Sequence, residues 1–108
     1  MITIYGLKSC DTCRKARKAL PGAAFVDLRG FAGLEEKLPA WHEAVGARIV
    51  NKSSATWRGL GEDEKALADT DPVRLLTEHP TLIKRPVIEG GGVVTAGWTP
   101  EVRGRYGA

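Results

Sequence analysis

MITIYGLKSCDTCRKARKALPGAAFVDL, residues 1–28, lays out a complete structural unit. Ile2, Thr3, Ile4 and Tyr5 favour a β-strand, and Gly6 punctuates them. A loop, GLKS, leads to the chain's two cysteines, Cys10 and Cys13. From about Asp11 to Leu20 the residues suit a helix. Cys13, Ala16, Ala19 and Leu20 form its narrow apolar stripe, and Pro21-Gly22 stops it. Phe25 to Leu28 predicts a second strand. This succession predicts two parallel strands joined by a right-handed helical crossover.

Beyond residue 33 the pattern turns helical. Leu34, Leu38, Trp41 and Val45 recur at the spacing of one helix face, with Pro39 beginning or kinking the helix and Gly46 ending it. Residues 47–60, ARIVNKSSATWRGL, are irregular by pattern. GEDEKALAD reads as a short helix with acids in its first turn, which suits the helix dipole. TDPVRLLTEHP is the clearest helix, with Asp71 as cap, Pro72 at the first helical position and Pro80 closing it. Val87–Glu89 and Val93–Ala96 predict a β-hairpin across the glycines 90–92, and Thr99-Pro100 opens a last helix. The expected architecture is α/β: one domain, 1–108, with a four-stranded mixed sheet. A helical insertion of about 33–80 separates its βαβ and ββα halves.

The 108 residues carry 16 Lys and Arg against 13 Asp and Glu, a net charge of +3 that would attract small anions. It does not argue for nucleic acid, which favours a clustered basic face with aromatics. No apolar run approaches the roughly 20 residues of a membrane span, and MITIY lacks the features of a signal peptide. The expectation is a cytoplasmic protein, a compartment where a pair of cysteines is more often catalytic or metal-binding than a structural disulfide.

Cys10 falls at the predicted helix start. Unpaired N–H groups and the dipole there stabilise a thiolate, with Lys8, Arg14 and Lys15 near in sequence acting with them and Asp11 against. Cys13 lies one turn further in, on the apolar stripe, where a thiol is buried and less reactive. This asymmetry suits an attacking Cys10 and a resolving Cys13. Two inert buried thiols are the plain alternative. Zinc needs about four ligands, and only His42 and His79 remain, far apart and without a visible partner, so no metal is expected. Arg85 precedes Pro86 before a predicted strand. It reads as a solvated strand-entry residue or, beside the cysteine loop, as a bidentate anion ligand.

IYGLKSCDTCRKA, TWRGL, HPTLIKRPVI and VVTAGWTPE, in that order, resemble the arsenate reductase-related family of ArsC reductases, Spx regulators and YffB-like proteins, with YffB-like members most similar. The resemblance implies a thioredoxin-like fold, a cis Pro86 facing the cysteine loop and Arg85 pointing toward Cys10. It implies a thiol-disulfide oxidoreductase with Cys10 as nucleophile and glutathione as co-substrate, no bound cofactor, and a monomer meeting no membrane or nucleic acid. Lys8, Lys52, Arg85 and Pro86 would bind glutathione or the substrate. Two alternatives follow from the same resemblance. One is arsenate reduction with glutathione and glutaredoxin. In ArsC enzymes two further arginines hold the oxyanion, and they would fall near Asn51 or Lys52 and near Gly97, where this chain has none. The other is a redox-switched regulator that, like Spx, binds the RNA polymerase α-subunit.

Overall fold

β1 (Ile2–Gly6), α1 (Asp11–Ala19) and β2 (Ala24–Asp27) follow one another at the start of the chain. The computed structural model describes residues 1–108. In it β1 and β2 are parallel, with Ile4 opposite Phe25 and Gly6 opposite Asp27. β3 (Val87–Gly90) pairs antiparallel with β1, and β4 (Val93–Ala96) antiparallel with β3. The order β2-β1-β3-β4 makes one mixed four-stranded sheet of thioredoxin-like type. The hairpin loop works because Gly91 and Gly92 both take positive φ, +59° and +78°, as a two-residue turn requires.

Strand alternation sends Ile4 and its register partner Ile88 to the same face, both wholly buried. They pack with Ala16 of α1 and Val102 of α6 (Pro100–Arg105). Each such aliphatic side chain withdrawn from water contributes about 1.5–3 kcal/mol. Thr99 caps α6 by accepting the Val102 N–H at 3.2 Å. Tyr106 then ties the helix end to the hairpin. Its hydroxyl donates to the Ile88 carbonyl and meets Thr95 Oγ1, each at 3.0 Å.

The chain divides into two compact units: residues 1–31 with 85–108, and Ala32–Lys84. The second is helical. α2 (Leu34–Val45) and α4 (Glu62–Thr70) both pack on α5 (Pro72–Glu78). Leu34, Leu38 and Trp41 form the buried face of α2, while Val45 is half-buried. Pro39 neither begins nor ends α2 but lies inside it, exposed to solvent. Asp71 caps α5 by accepting the Arg74 N–H at 3.3 Å. Residues 47–60 are less irregular than their pattern suggests. A 3₁₀ turn spans Gly46–Ile49, and α3 (Ala55–Arg58) is one turn capped by Ser54, whose hydroxyl accepts the Trp57 N–H at 3.1 Å. Single turns are too short to show periodicity and depend on their caps. No helix of the protein is long and apolar enough to cross a membrane.

Candidate active site

The loop between β1 and α1 closes tightly. The Cys10 N–H donates to the Leu7 carbonyl at 3.1 Å, and the Cys10 carbonyl accepts the Arg14 N–H at 3.0 Å. Cys10 is therefore the N-cap of α1, with extended backbone (φ −83°, ψ 122°). Both cysteines are free thiols, Cys10 half-buried and Cys13 without exposed surface.

Their environments push the two thiols apart. Burial raises the pKa of Cys10, but the Cys13 N–H, the Cys13 thiol and the Arg85 guanidinium outweigh it and hold Cys10 below its ordinary range. Burial drives Cys13 up to about 12, and the hydrogen bond and charge of Cys10 push the same way. The Leu7 N–H and the Arg85 charge offset this only in part.

Cys13 reaches its depth because Gly6 has no side chain. A Cβ at Gly6 would approach Cys13 Sγ more closely than the 3.0 Å that real Cβ atoms keep. Gly6 and Leu7 are the functional positions that sequence reasoning missed. The signal was a glycine ending the strand just before the cysteine loop.

Arg85 is half-buried at the entry to β3, and the Arg85–Pro86 peptide is cis. Pro86 is buried, and its carbonyl accepts the Gly97 N–H at 2.9 Å. Gly97 has φ +86° and offers no side chain at the position where a further arginine would fall. Cys10, Cys13 and Arg85 are thus brought together. Lys8 is exposed and its charge acts on Asp27, which is held below the usual carboxylate range first by the Arg29 N–H. Lys52 belongs to the second unit, where its ammonium lies 5.4 Å over the Trp57 ring. In that unit His79 does have a partner, because Nε2 meets Glu64 Oε2 at 2.5 Å. Glu78 lies near them and pairs with Arg74 at 3.4 Å.

Residues 5–104 match the ArsC family. The chain belongs to the ArsC family. Among solved structures this ArsC-family protein is similar to a YffB protein, at 32% identity and a TM-score of 0.86, with 97% of each chain covered. It is similar to an arsenate reductase (ArsC) related protein of Brucella melitensis at 32% identity and a TM-score of 0.73, over 97% of this chain and 92% of that one. The global transcriptional regulator Spx of Bacillus subtilis is 30% identical over 95 residues, which cover 82% of this chain and 72% of Spx.

Proposed function

We propose that this ArsC-family protein is a thiol-disulfide oxidoreductase in which Cys10 attacks and Cys13 resolves, with glutathione as the reductant. The observation that carries the reading is the opposed perturbation of the two thiols on one helical turn. Cys10 Sγ, as thiolate, attacks one sulfur of a disulfide. A mixed disulfide forms and one thiolate leaves. Cys10 is then neutral, so the charge that helped hold the Cys13 proton is gone. Cys13 loses its proton and attacks Cys10 Sγ, releasing the second thiol and closing a Cys10–Cys13 disulfide. Two molecules of glutathione reduce that disulfide and leave as oxidised glutathione. Arg85 supports the Cys10 thiolate and offers a planar fork to a carboxylate. Lys8 and Pro86 remain candidate contacts to the anion.

The test is turnover of a small disulfide with glutathione. Cys10→Ser should abolish it, and Cys13→Ser should leave a glutathione-dependent remainder. Equal retention in both variants removes the reading. Arsenate is a less suited substrate, because neither Asn51 nor Gly97 supplies the further arginines of that chemistry; turnover of arsenate with glutathione and glutaredoxin would reverse this.

The likeness to Spx favours a second reading, a redox-switched regulator. Retention of the RNA polymerase α-subunit that depends on the state of Cys10 and Cys13 would support it. Equal or absent retention in both states would count against it.

A further inference from the structure

The positive charge of this protein is concentrated on one helix. α1 holds Arg14, Lys15, Arg17 and Lys18 against a single acid, Asp11. Those are four of the chain's 16 basic and one of its 13 acidic residues, which leaves twelve of each sign elsewhere. The net +3 of the chain is therefore the net charge of α1. All four cations are exposed, and Arg14 alone of them is in an ion pair, with Asp11.

Two clefts flank this ridge. One, of ≈ 430 Å³, sets Arg14, Arg17 and Lys18 against Pro21 and Phe25. The other, of ≈ 440 Å³, sets Lys15, Lys18 and Arg103 around Trp98 and Pro100. No carboxylate lines either cleft. Each joins a cationic rim to an apolar wall, which matches a peptide that alternates acidic and apolar side chains. A single-stranded nucleic acid would need a series of free aromatic faces. The Phe25 ring already carries the Arg17 guanidinium at 4.2 Å, which leaves Trp98 as the open ring beside the ridge.

We infer that the outer face of α1 docks acidic, partly apolar protein segments, and that these belong to the proteins whose disulfides Cys10 attacks. This rests on the oxidoreductase reading above. The link is positional: Cys10 caps the same helix, which rises only about 13 Å over its length. A segment lying on the ridge brings its own disulfide to the helix start. The exchange is the one already written, with the docked protein's disulfide taking the electron pair and its two sulfurs leaving as thiols.

Two peptide disulfides test it, one alternating Asp or Glu with Leu, the other Lys with Leu. Reduced protein should open the acidic one at least about tenfold faster at low salt, with the advantage falling as salt rises. Arg17→Glu/Lys18→Glu should remove the preference, and the neutral pair Arg17→Gln/Lys18→Gln should weaken it. Exchange with uncharged hydroxyethyl disulfide should be unchanged in both variants, which also shows that they fold. Equal rates for the two peptides overturn the inference. If hydroxyethyl disulfide is not opened at all, it is the oxidoreductase reading that fails. Docking is then read separately, from the fluorescence anisotropy of a labelled acidic peptide without cysteine. Binding that is lost in Arg17→Glu/Lys18→Glu keeps the surface, and binding that is unaffected overturns it. Preferential binding of an RNA oligonucleotide over the peptide overturns the choice of partner.

Discussion

Gly6→Ala, combined with Cys13→Ala, measures whether the two positions share one space. A Cβ at Gly6 would lie inside 3.0 Å of Cys13 Sγ, 3.2 Å from Cys13 Cβ and 3.7 Å from Phe25 Cε1. Cys13 has no exposed surface, so its sulfur has no route to solvent without moving α1. Overpacking by one carbon in such a place costs about 1–3 kcal/mol. At roughly 4 °C per kcal/mol for a chain of this size, Gly6→Ala should lower Tm by about 4–12 °C. Cys13→Ala alone removes the sulfur and leaves a small void, at a cost of about 1 kcal/mol. In the double variant the added methyl occupies the void. The remaining contact, between the two Cβ atoms, needs a shift of only a few tenths of an ångström. The double variant should therefore be more stable than the sum of the single losses predicts, by about 1 kcal/mol or more. The assay is urea and thermal unfolding of all four proteins under reducing conditions. Additivity to within about 0.5 kcal/mol would refute the shared space. It would show that β1 and α1 accommodate a side chain at Gly6 without reference to Cys13.

The remaining predictions concern the thiols. At pH 8 a thiol with its pKa near 12 is ionised about once in 10⁴ molecules, so iodoacetamide should label Cys10 well before Cys13, and Cys10→Ser should react at least a hundredfold more slowly; mass mapping that finds comparable labelling contradicts this. Arg85→Ala removes a cation that favours the thiolate, so the midpoint of the alkylation pH profile should rise, and Arg85→Lys should recover part of the shift; an unmoved midpoint in Arg85→Ala rejects the assignment. Cys13 also predicts an alkaline loss of stability. The unfolded thiol ionises near 9.0 and the native one near 12, so between these values the native state binds more protons and stability falls as pH rises, by at most about 1.4 kcal/mol per unit. Cys13→Ala should lack that part of the decline, and parallel losses in the two proteins between pH 9 and 11 would count against it.

Much of the fold was legible because its signals are local. The alternation in β1, the stripe Cys13–Ala16, Pro21-Gly22 and the glycine pair of the hairpin each state their own conformation. The single turn at Ala55–Arg58 was not legible, because its structure rests on one Ser54 hydroxyl and not on a period. Pro39 left two readings open, a helix start or a kink within the helix, and the structure places it inside α2. Its local preference is to start a helix, and tertiary burial of Leu34, Leu38 and Trp41 carries α2 through it. The site divides in the same way. The helix start at Cys10 could be read from the residues around it. The space at Gly6 depends on elements that meet only on folding, and so, within the second unit, does the pairing of His79 with Glu64, which is no part of the site. Lys8, near Cys10 in sequence, also acts on Asp27 at the end of β2, a contact that only folding brings about.

α1 serves two surfaces that should be separable. Its inward face is small, Cys13 and Ala16, because β1 approaches closely there. Its outward face carries the cations. Arg17 and Lys18 lie seven and eight residues beyond Cys10, or about 11 Å along the helix axis. Screened by a Debye length of about 8 Å at physiological salt, each unit of charge acts on the Cys10 thiolate with about 0.1 kcal/mol. Reversing both residues changes the charge by four units, or about 0.4 kcal/mol in all, which is about 0.3 of a pH unit. The alkylation midpoint of Arg17→Glu/Lys18→Glu should therefore stay within about 0.3 units of the parent at physiological salt, while Arg85→Ala moves it further. The comparison decides what sets the thiolate. A shift in Arg17→Glu/Lys18→Glu as large as that in Arg85→Ala would mean that the charge of the whole helix, and not the contacts of Cys13 and Arg85, lowers the pKa of Cys10.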